Sequence, residues 1–161
     1  MDINSILLEL GHQMGLENLK LDQNRVCRLV FDKKYVVDIE STEDEKIVHI
    51  YSTITSIPPE HKEKFYETFL EANLFGKGTG GATFGINKME NELMLTRAIG
   101  MDTCDYQEFV NILESFVNHV ESWMTNIENG SIFQDKEDHT PAAKSDGGSH
   151  PDFGQEGFIR A

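Results

Sequence analysis

Basic residues are scarce in this chain. Lys and Arg number 14 against 28 Asp and Glu, so the formal net charge is -14 and the pI is about 4.7. Nucleic-acid binding rests on basic patches that neutralise phosphates, and such a surface repels them. Cysteine is nearly absent. Cys27 and Cys104 form no CxxC motif, and a reduced pair is expected over a disulfide. No run approaches the roughly 20 apolar residues that span a bilayer, so no membrane insertion is expected. The first residues, MDINSILLELGHQMG, have no basic n-region and carry Asp2 and Glu9 within an apolar pattern. They do not read as a signal peptide, and the expected location is the cytosol.

The motifs of catalysis and metal binding are missing too. Six histidines are present, with no HExxH, no paired His/Cys spacing and no EF-hand loop. There is no G-x-S-x-G. Cys104 sits where a helix is expected to start, which favours a thiolate, but Asp102 and Asp105 oppose one. Acidic residues are spread over turns and helix faces and do not form a general acid/base pair. The expectation is a protein that is not an enzyme and needs neither cofactor nor metal.

What is present is periodicity. Ile3, Ile6, Leu7, Leu10 and Met14 recur at helical spacing over 2–15, with Asp2 or Asn4 to cap the start and Gly15 to end it. Gly11 inside this helix costs about 1 kcal/mol relative to Ala and suggests close packing. From Arg25 the period becomes two. Arg25–Phe31 and Tyr35–Glu40 read as strands joined by Asp32-Lys33-Lys34. Setting Phe31 opposite Tyr35 pairs Leu29 with Val37 and Cys27 with Ile39, an apolar face. The other face pairs Val30 with Val36, Arg28 with Asp38 and Val26 with Glu40. It is mixed, partly apolar and partly charged, and suits a surface that another chain covers. Lys46–Ile54 completes an antiparallel meander.

Pro58-Pro59 are expected to open a second helix, with proline in its first turn. Phe65, Tyr66, Phe69, Leu70, Ala72 and Leu74 give it an aromatic-rich stripe. Ala82–Asn87 and Glu92–Gly100 read as a second hairpin, in which Leu93, Leu95 and Ile99 share a face interrupted by Arg97. Residues 102–129 contain the longest helical pattern. The fold class is α+β, in the order α-β-β-β-α-β-β-α with a twisted antiparallel sheet.

Between the second helix and that hairpin lies EANLFGKGTGGATFG, holding five of the thirteen glycines. A phosphate-binding P-loop needs G-x-x-x-x-G-K-[ST] after a strand and before a helix. Here Gly78 follows Gly76-Lys77, and the order is helix, glycines, strand. The stretch reads as a helix stop at Gly76 followed by slack over Gly78–Gly81. Residues 1–129 form the expected domain. Residues 130–161 read as a flexible acidic tail, ending in FGQEGFIRA, which is either plain tail or a short docking motif that binds a partner or folds back.

Three blocks carry a resemblance: LLELGHQMGLENLKLDQNRVCRLVFD, FLEANLFGKGTGGATFGINKMENELMLTRAIGMD and FVNILESFVNHVESW. Together, in this order over residues 2–128, they resemble a class I type III secretion chaperone of the Tir-chaperone (CesT) family. The resemblance implies a small acidic homodimer in the bacterial cytoplasm. Such proteins bind the N-terminal region of one or more secreted effectors in extended form and deliver them to the export ATPase. A regulatory protein of the same fold, sequestering a transcription factor or another chaperone, is the alternative. The mixed face of Val26, Arg28, Val30, Val36 and Asp38 offers a track for an added strand, with Leu7, Leu10 and Met14 lining a groove beside it; Leu7 and Leu10 equally suit ordinary core. The family pattern places the dimer contact on Phe65, Tyr66, Phe69 and Leu74 of the second helix, with Leu93 and Leu95 of the hairpin.

Overall fold

A computed structural model describes residues 2–133. The expected tail beyond Phe133 lies outside the described residues. The elements are α1 (Ile3–Met14), β1 (Val26–Phe31), β2 (Tyr35–Ser41), β3 (Ile47–Ser56), α2 (Lys62–Asn73), β4 (Thr83–Asn87), β5 (Glu92–Gly100) and α3 (Tyr106–Glu128). Single 3-10 turns follow α2 (Leu74–Gly76) and α3 (Ser131–Phe133). The second of these turns shows that regular structure continues three residues into the segment read as tail.

Local chemistry sets the helix limits. The Asp2 carboxylate accepts from the Ser5 amide at 3.0 Å and caps α1, and Gly15 closes it at φ 70°. Asp105 caps α3 through the Glu108 amide. The prolines do not open α2. His61 takes φ 54° as its N-cap, so the helix starts at Lys62. Pro58-Pro59 instead follow the strand: without N–H groups they cannot extend its ladder, and Pro59 keeps Pro58 out of the α region. Ile57 is tied down there, donating to the Asn91 carbonyl and accepting from the Asn91 side chain.

The sheet runs β1-β2-β3-β5-β4 and is antiparallel throughout. The β1–β2 register is the expected one, from Phe31 opposite Tyr35 to Val26 opposite Glu40. A shift between Thr53 and Thr55 leaves Ile54 unpaired and carries β3 on to Ser56. One face of the sheet is core: Cys27, Leu29, Val37, Ile39, Val48, Ile50, Leu95 and Ile99 are buried. α3 packs on β2 and β3, α1 lies beside α3, and α2 packs on β4. α3 buries Phe109, Leu113, Phe116 and Val120. Full burial of such side chains contributes about 1.5–3 kcal/mol each, more than helix propensity supplies.

The glycine stretch is a tight joint, not slack. Lys77, Gly78, Thr79, Gly80 and Ala82 donate their amides to main-chain carbonyls of residues 72–79. Of the amides over 77–82 only that of Gly81 makes no main-chain hydrogen bond, and a single donor is no phosphate cradle. The Trp123 indole donates to the Gly78 carbonyl at 2.7 Å, and Arg97 donates to the Gly80 carbonyl at 2.8 Å. Arg97 interrupts the apolar face of β5 for this reason. A Cβ on Gly80, at φ 59°, would sit 2.5 Å from the His119 ring. Close approach to side chains accounts for Gly78, Gly80 and Gly81, and positive φ for Gly76, Gly80 and Gly81.

Gly80→Ala should therefore lower stability by about 2–3 kcal/mol, combining left-handed strain with overpacking. Gly100→Ala, where an added Cβ meets nothing within 4 Å, should change it by less than about 0.5 kcal/mol. Chemical denaturation midpoints compare the two; equal midpoints would mean the joint is loose.

Candidate functional site

Two exposed regions combine apolar side chains with a sheet edge. The first is a groove along β1. After α1 the chain turns at Gly15 and runs back beside the strand. Leu16 donates its amide to the Gly11 carbonyl at 2.8 Å. A Cβ at Gly11 would meet Leu19 at 2.9 Å, so glycine there lets the loop close on the helix. Asp22 then anchors the strand's start. Its carboxylate accepts from the Val26 and Asn24 amides, and its own amide donates to the Val26 carbonyl. Between loop and strand lies a groove of about 590 Å³, lined by Met14, Leu16, Leu19, Val26, Arg28 and Val30 among others.

The strand edge in this groove is open. The Ser41 amide donates to the Arg25 carbonyl, which sets the phase of the β1–β2 ladder. Alternation then turns Arg25, Cys27 and Leu29 toward β2, and Val26, Arg28 and Val30 away from it. Asp22 occupies Val26. The main-chain N–H and C=O groups of Arg28 and Val30 face the groove.

Side chains around this edge match the mixed face read from the sequence. Val30 is 55% exposed and Val36 is 37% exposed. Arg28 grips Asp38 with two hydrogen bonds of 2.7 Å. That contact raises the Arg28 pKa and covers a carboxylate that is otherwise buried. The pair is solvent-screened and contributes no more than about 1 kcal/mol. Its role is to hold Arg28 flat across the face. Met14 is exposed at the groove's end. Leu7 and Leu10, by contrast, lie in the core, because the α1 stripe faces the sheet rather than the groove. The groove-lining Leu16 and Leu19 were missed; they belong to no helical or strand period.

The second region is the outer side of α2 and β4. Tyr66, Leu70, Phe84 and Ile86 surround a cleft of about 350 Å³. Leu70 is 68% exposed, Leu74 54%, Ile86 50% and Phe75 87%. Phe75 stands at φ 56°, an uncommon conformation for a bulky residue. Phe65, Phe69, Leu93 and Leu95 are buried and form the floor beneath this surface, while Tyr66 and Leu74 reach it. Leu70 was in the stripe read from sequence; Phe75, Ile86 and Met89 have no partners in the pattern and gave no signal.

Between the two regions the open sheet face is polar. Tyr51 donates to Glu40 at 3.0 Å. Burial first, then this hydrogen bond and the Glu40 charge, push the Tyr51 pKa up to about 12. Among the described residues there is no group of three or more His, Cys, Asp or Glu suited to a metal, and no helix long and apolar enough to cross a membrane. Burial and nearby carboxylates raise both thiol pKa values, so neither cysteine is an activated nucleophile.

An open edge strand thus lies beside a groove of mixed lining, with Glu17, Asn18, Lys20 and Asp22 among its apolar residues, on a five-stranded sheet backed by three helices. The model of the Tir chaperone protein (CesT) family matches residues 5–124. The chain belongs to the Tir chaperone (CesT) family. It is 25% identical over 112 residues to the Tir chaperone of Citrobacter freundii, covering 69% of this chain and 70% of that one. It is 28% identical over 116 residues to a Chlamydia pneumoniae protein, covering 71% and 87% respectively. Its fold matches a chain of the HopA1–SchA chaperone–effector complex with TM-score 0.62 and 9% identity, over 75% of this chain and 91% of that one. Family and fold thus agree with the resemblance carried by the three sequence blocks.

The raised Tyr51 pKa carries a pH prediction. The neutral phenol is favoured in the fold, so its stabilising effect is present below pH 10 and is lost as pH rises through about 12. Tyrosinate absorbance should show a late-titrating component that Tyr51→Phe removes and Glu40→Gln shifts to lower pH. An unchanged curve in Tyr51→Phe would refute the burial assigned to this ring.

Proposed function

We propose that this Tir chaperone family protein is a type III secretion chaperone that binds the N-terminal region of one or more effectors as an extended strand in the β1 groove. The observation that carries this is the open main chain of Arg28 and Val30 beside exposed Met14, Leu16 and Val30. A strand added there takes its affinity from main-chain hydrogen bonds and its selection from alternate side chains. Methionine at the groove's end adapts to different side chains, which suits several cargos. The mixed face of Val26, Arg28, Val30, Val36 and Asp38 then borders the bound strand. The HopA1–SchA likeness supports this reading, since that fold neighbour is a chaperone–effector complex.

The reading has three further parts. The chain acts as a homodimer through the outer face of α2 and β4, with Tyr66, Leu70, Leu74 and Ile86 at the contact over the floor of Phe65, Phe69, Leu93 and Leu95. It works in the bacterial cytoplasm, without cofactor or turnover. It hands the effector, kept extended, to the export ATPase of the secretion apparatus.

Replacing Val30 and Val36 with Asp should weaken binding of a co-purified effector's N-terminal fragment by more than about tenfold, roughly 1.4 kcal/mol, in calorimetry. Both side chains are partly exposed, so the far-ultraviolet circular dichroism and oligomeric state should be unchanged. Unaltered affinity would rule out this groove. Separately, Leu70→Glu with Ile86→Glu should convert a dimer to monomers in sedimentation velocity. A dimer surviving both changes would place the contact elsewhere.

A further inference from the structure

Arg28 is the only charged residue of β1, which reads VCRLVF. It stands in the middle of the open edge, where its own N–H and C=O face the groove. Its side chain is 67% exposed and lies on the open face of the sheet. Asp38 takes Nε and one N–H of Nη2 at 2.7 Å each. Those two groups form one edge of the planar guanidinium, which carries more donors than one carboxylate can take. Both N–H groups of Nη1 and the second of Nη2 point away from Asp38. Val26 and Val30, the β1 neighbours on the same face, are apolar and supply no acceptor. Asp38 also holds the side chain in place, so a second acceptor avoids much of the ordering cost that weakens exposed ion pairs.

A strand added to this edge places one residue directly opposite Arg28, its side chain on the same face and about 5 Å away. The next carboxylates on that face, Asp38 and Glu40, belong to β2, one strand further in. They lie about 10 Å from the added strand, two strand spacings, which exceeds the Debye length of about 8 Å at physiological salt. The near charge therefore decides. A carboxylate opposite Arg28 is attracted at the short distance and repelled only weakly at the long one. A lysine there is repelled at the short distance. An apolar residue gains nothing from the guanidinium.

We propose that Arg28 selects a carboxylate in the bound strand: an Asp or Glu opposite it, two positions from the apolar residue that meets Val30. This rests on the reading of the β1 groove as the cargo site. A charge on an edge strand keeps unmatched strands off. Here the same charge attracts a strand that carries its opposite, so one residue both rejects and admits. The net charge of -14 favours basic segments in general, so a demand for an acid at one position is a local signature of Arg28.

A positional scan of a co-purified effector's N-terminal fragment tests this, each residue replaced in turn by Glu, Gln and Lys. Competition binding to the full-length chain is the readout. One position should prefer Glu over Lys by about tenfold, with Gln between them. Two positions away, an apolar residue should tolerate none of the three. Arg28→Leu/Asp38→Leu should reduce the acid preference to less than about twofold and keep the apolar requirement. The exchanged pair, Arg28→Glu with Asp38→Arg, should reverse the preference toward Lys, which a merely structural role of Arg28 would not do. Indifference to Glu and Lys at every position would overturn the proposal, as would an acid preference that survives both double variants. Cargo binding lost in Val30→Asp/Val36→Asp, combined with such indifference, would reject the role of Arg28 and leave the cargo site standing. Binding insensitive to that valine pair would remove the site and the proposal with it.

Discussion

The contact that the rest of the molecule leans on is the one made by Trp123. Its indole donates to the Gly78 carbonyl, and its ring lies 5.2 Å from Phe69 and 5.0 Å from Phe84. Phe69 and Phe84 meet edge-on at 4.8 Å. One side chain of α3 thereby joins α2, the glycine joint and β4. Aromatic pairs of this kind add about 0.5–1.5 kcal/mol each beyond their burial. Gly78 belongs to the same constraint, since a Cβ there would lie 2.9 Å from Ala72 and 3.3 Å from the indole. With the joint fixed, α2 has no freedom to rotate its outer stripe inward. Leu70, Leu74 and Phe75 remain on the surface.

That constraint makes the two edges of the sheet unlike each other. At the β4 edge, the Asn73 side chain accepts from the Phe84 amide at 2.7 Å and donates to the Phe84 carbonyl at 3.2 Å. Asn73 satisfies Phe84 alone and leaves the main chain of Ile86 outward, and the side chains that face out beside it are apolar. Such a surface selects a partner by shape, as the proposed subunit contact requires. At the β1 edge, Asp22 satisfies only Val26 and leaves the next two outward residues open. Such a surface selects by main chain, which every sequence possesses. The edges differ in degree: one outward residue, Ile86, is left open at β4 and two, Arg28 and Val30, at β1.

Elements and pairing were legible in the sequence because they follow from period. The β1–β2 register came from asking which alignment keeps one face apolar, and Arg28 opposite Asp38 followed from it. Burial within a stripe was less legible. Spacing gives the direction of a face but not what lies under it, so Leu7 and Leu10 could be read as groove wall and Phe69 as interface. Both are core, because α1 and α2 each turn their main stripe to the sheet. The glycine joint was misread for a related reason. Composition shows that glycine permits slack, whereas here its missing Cβ admits Trp123, His119 and Arg97, which lie far along the chain. Leu16 and Leu19 escaped notice because the loop that carries them takes its shape from Gly11 and Asp22, not from any repeat.

On the proposed reading of this groove as the cargo site, the open edge also limits how cargo is chosen. Two N–H and two C=O groups, from Arg28 and Val30, offer a bound strand at most four main-chain hydrogen bonds, worth about 2–6 kcal/mol in total. Ordering four or five residues of an unfolded segment costs roughly 1–2 kcal/mol each. The ordering cost, about 4–10 kcal/mol, exceeds that gain. Net affinity must then come from apolar burial against Met14, Leu16, Leu19 and Val30, where a fully buried side chain contributes about 1.5–3 kcal/mol. A segment with apolar residues at alternate positions gains that contribution, and one without them gains nothing. The main chain thus sets the extended form of the ligand, while a few apolar contacts decide whether it stays. This arrangement admits many sequences of one pattern and, because the strand must be unpaired elsewhere to enter, admits them only before they fold.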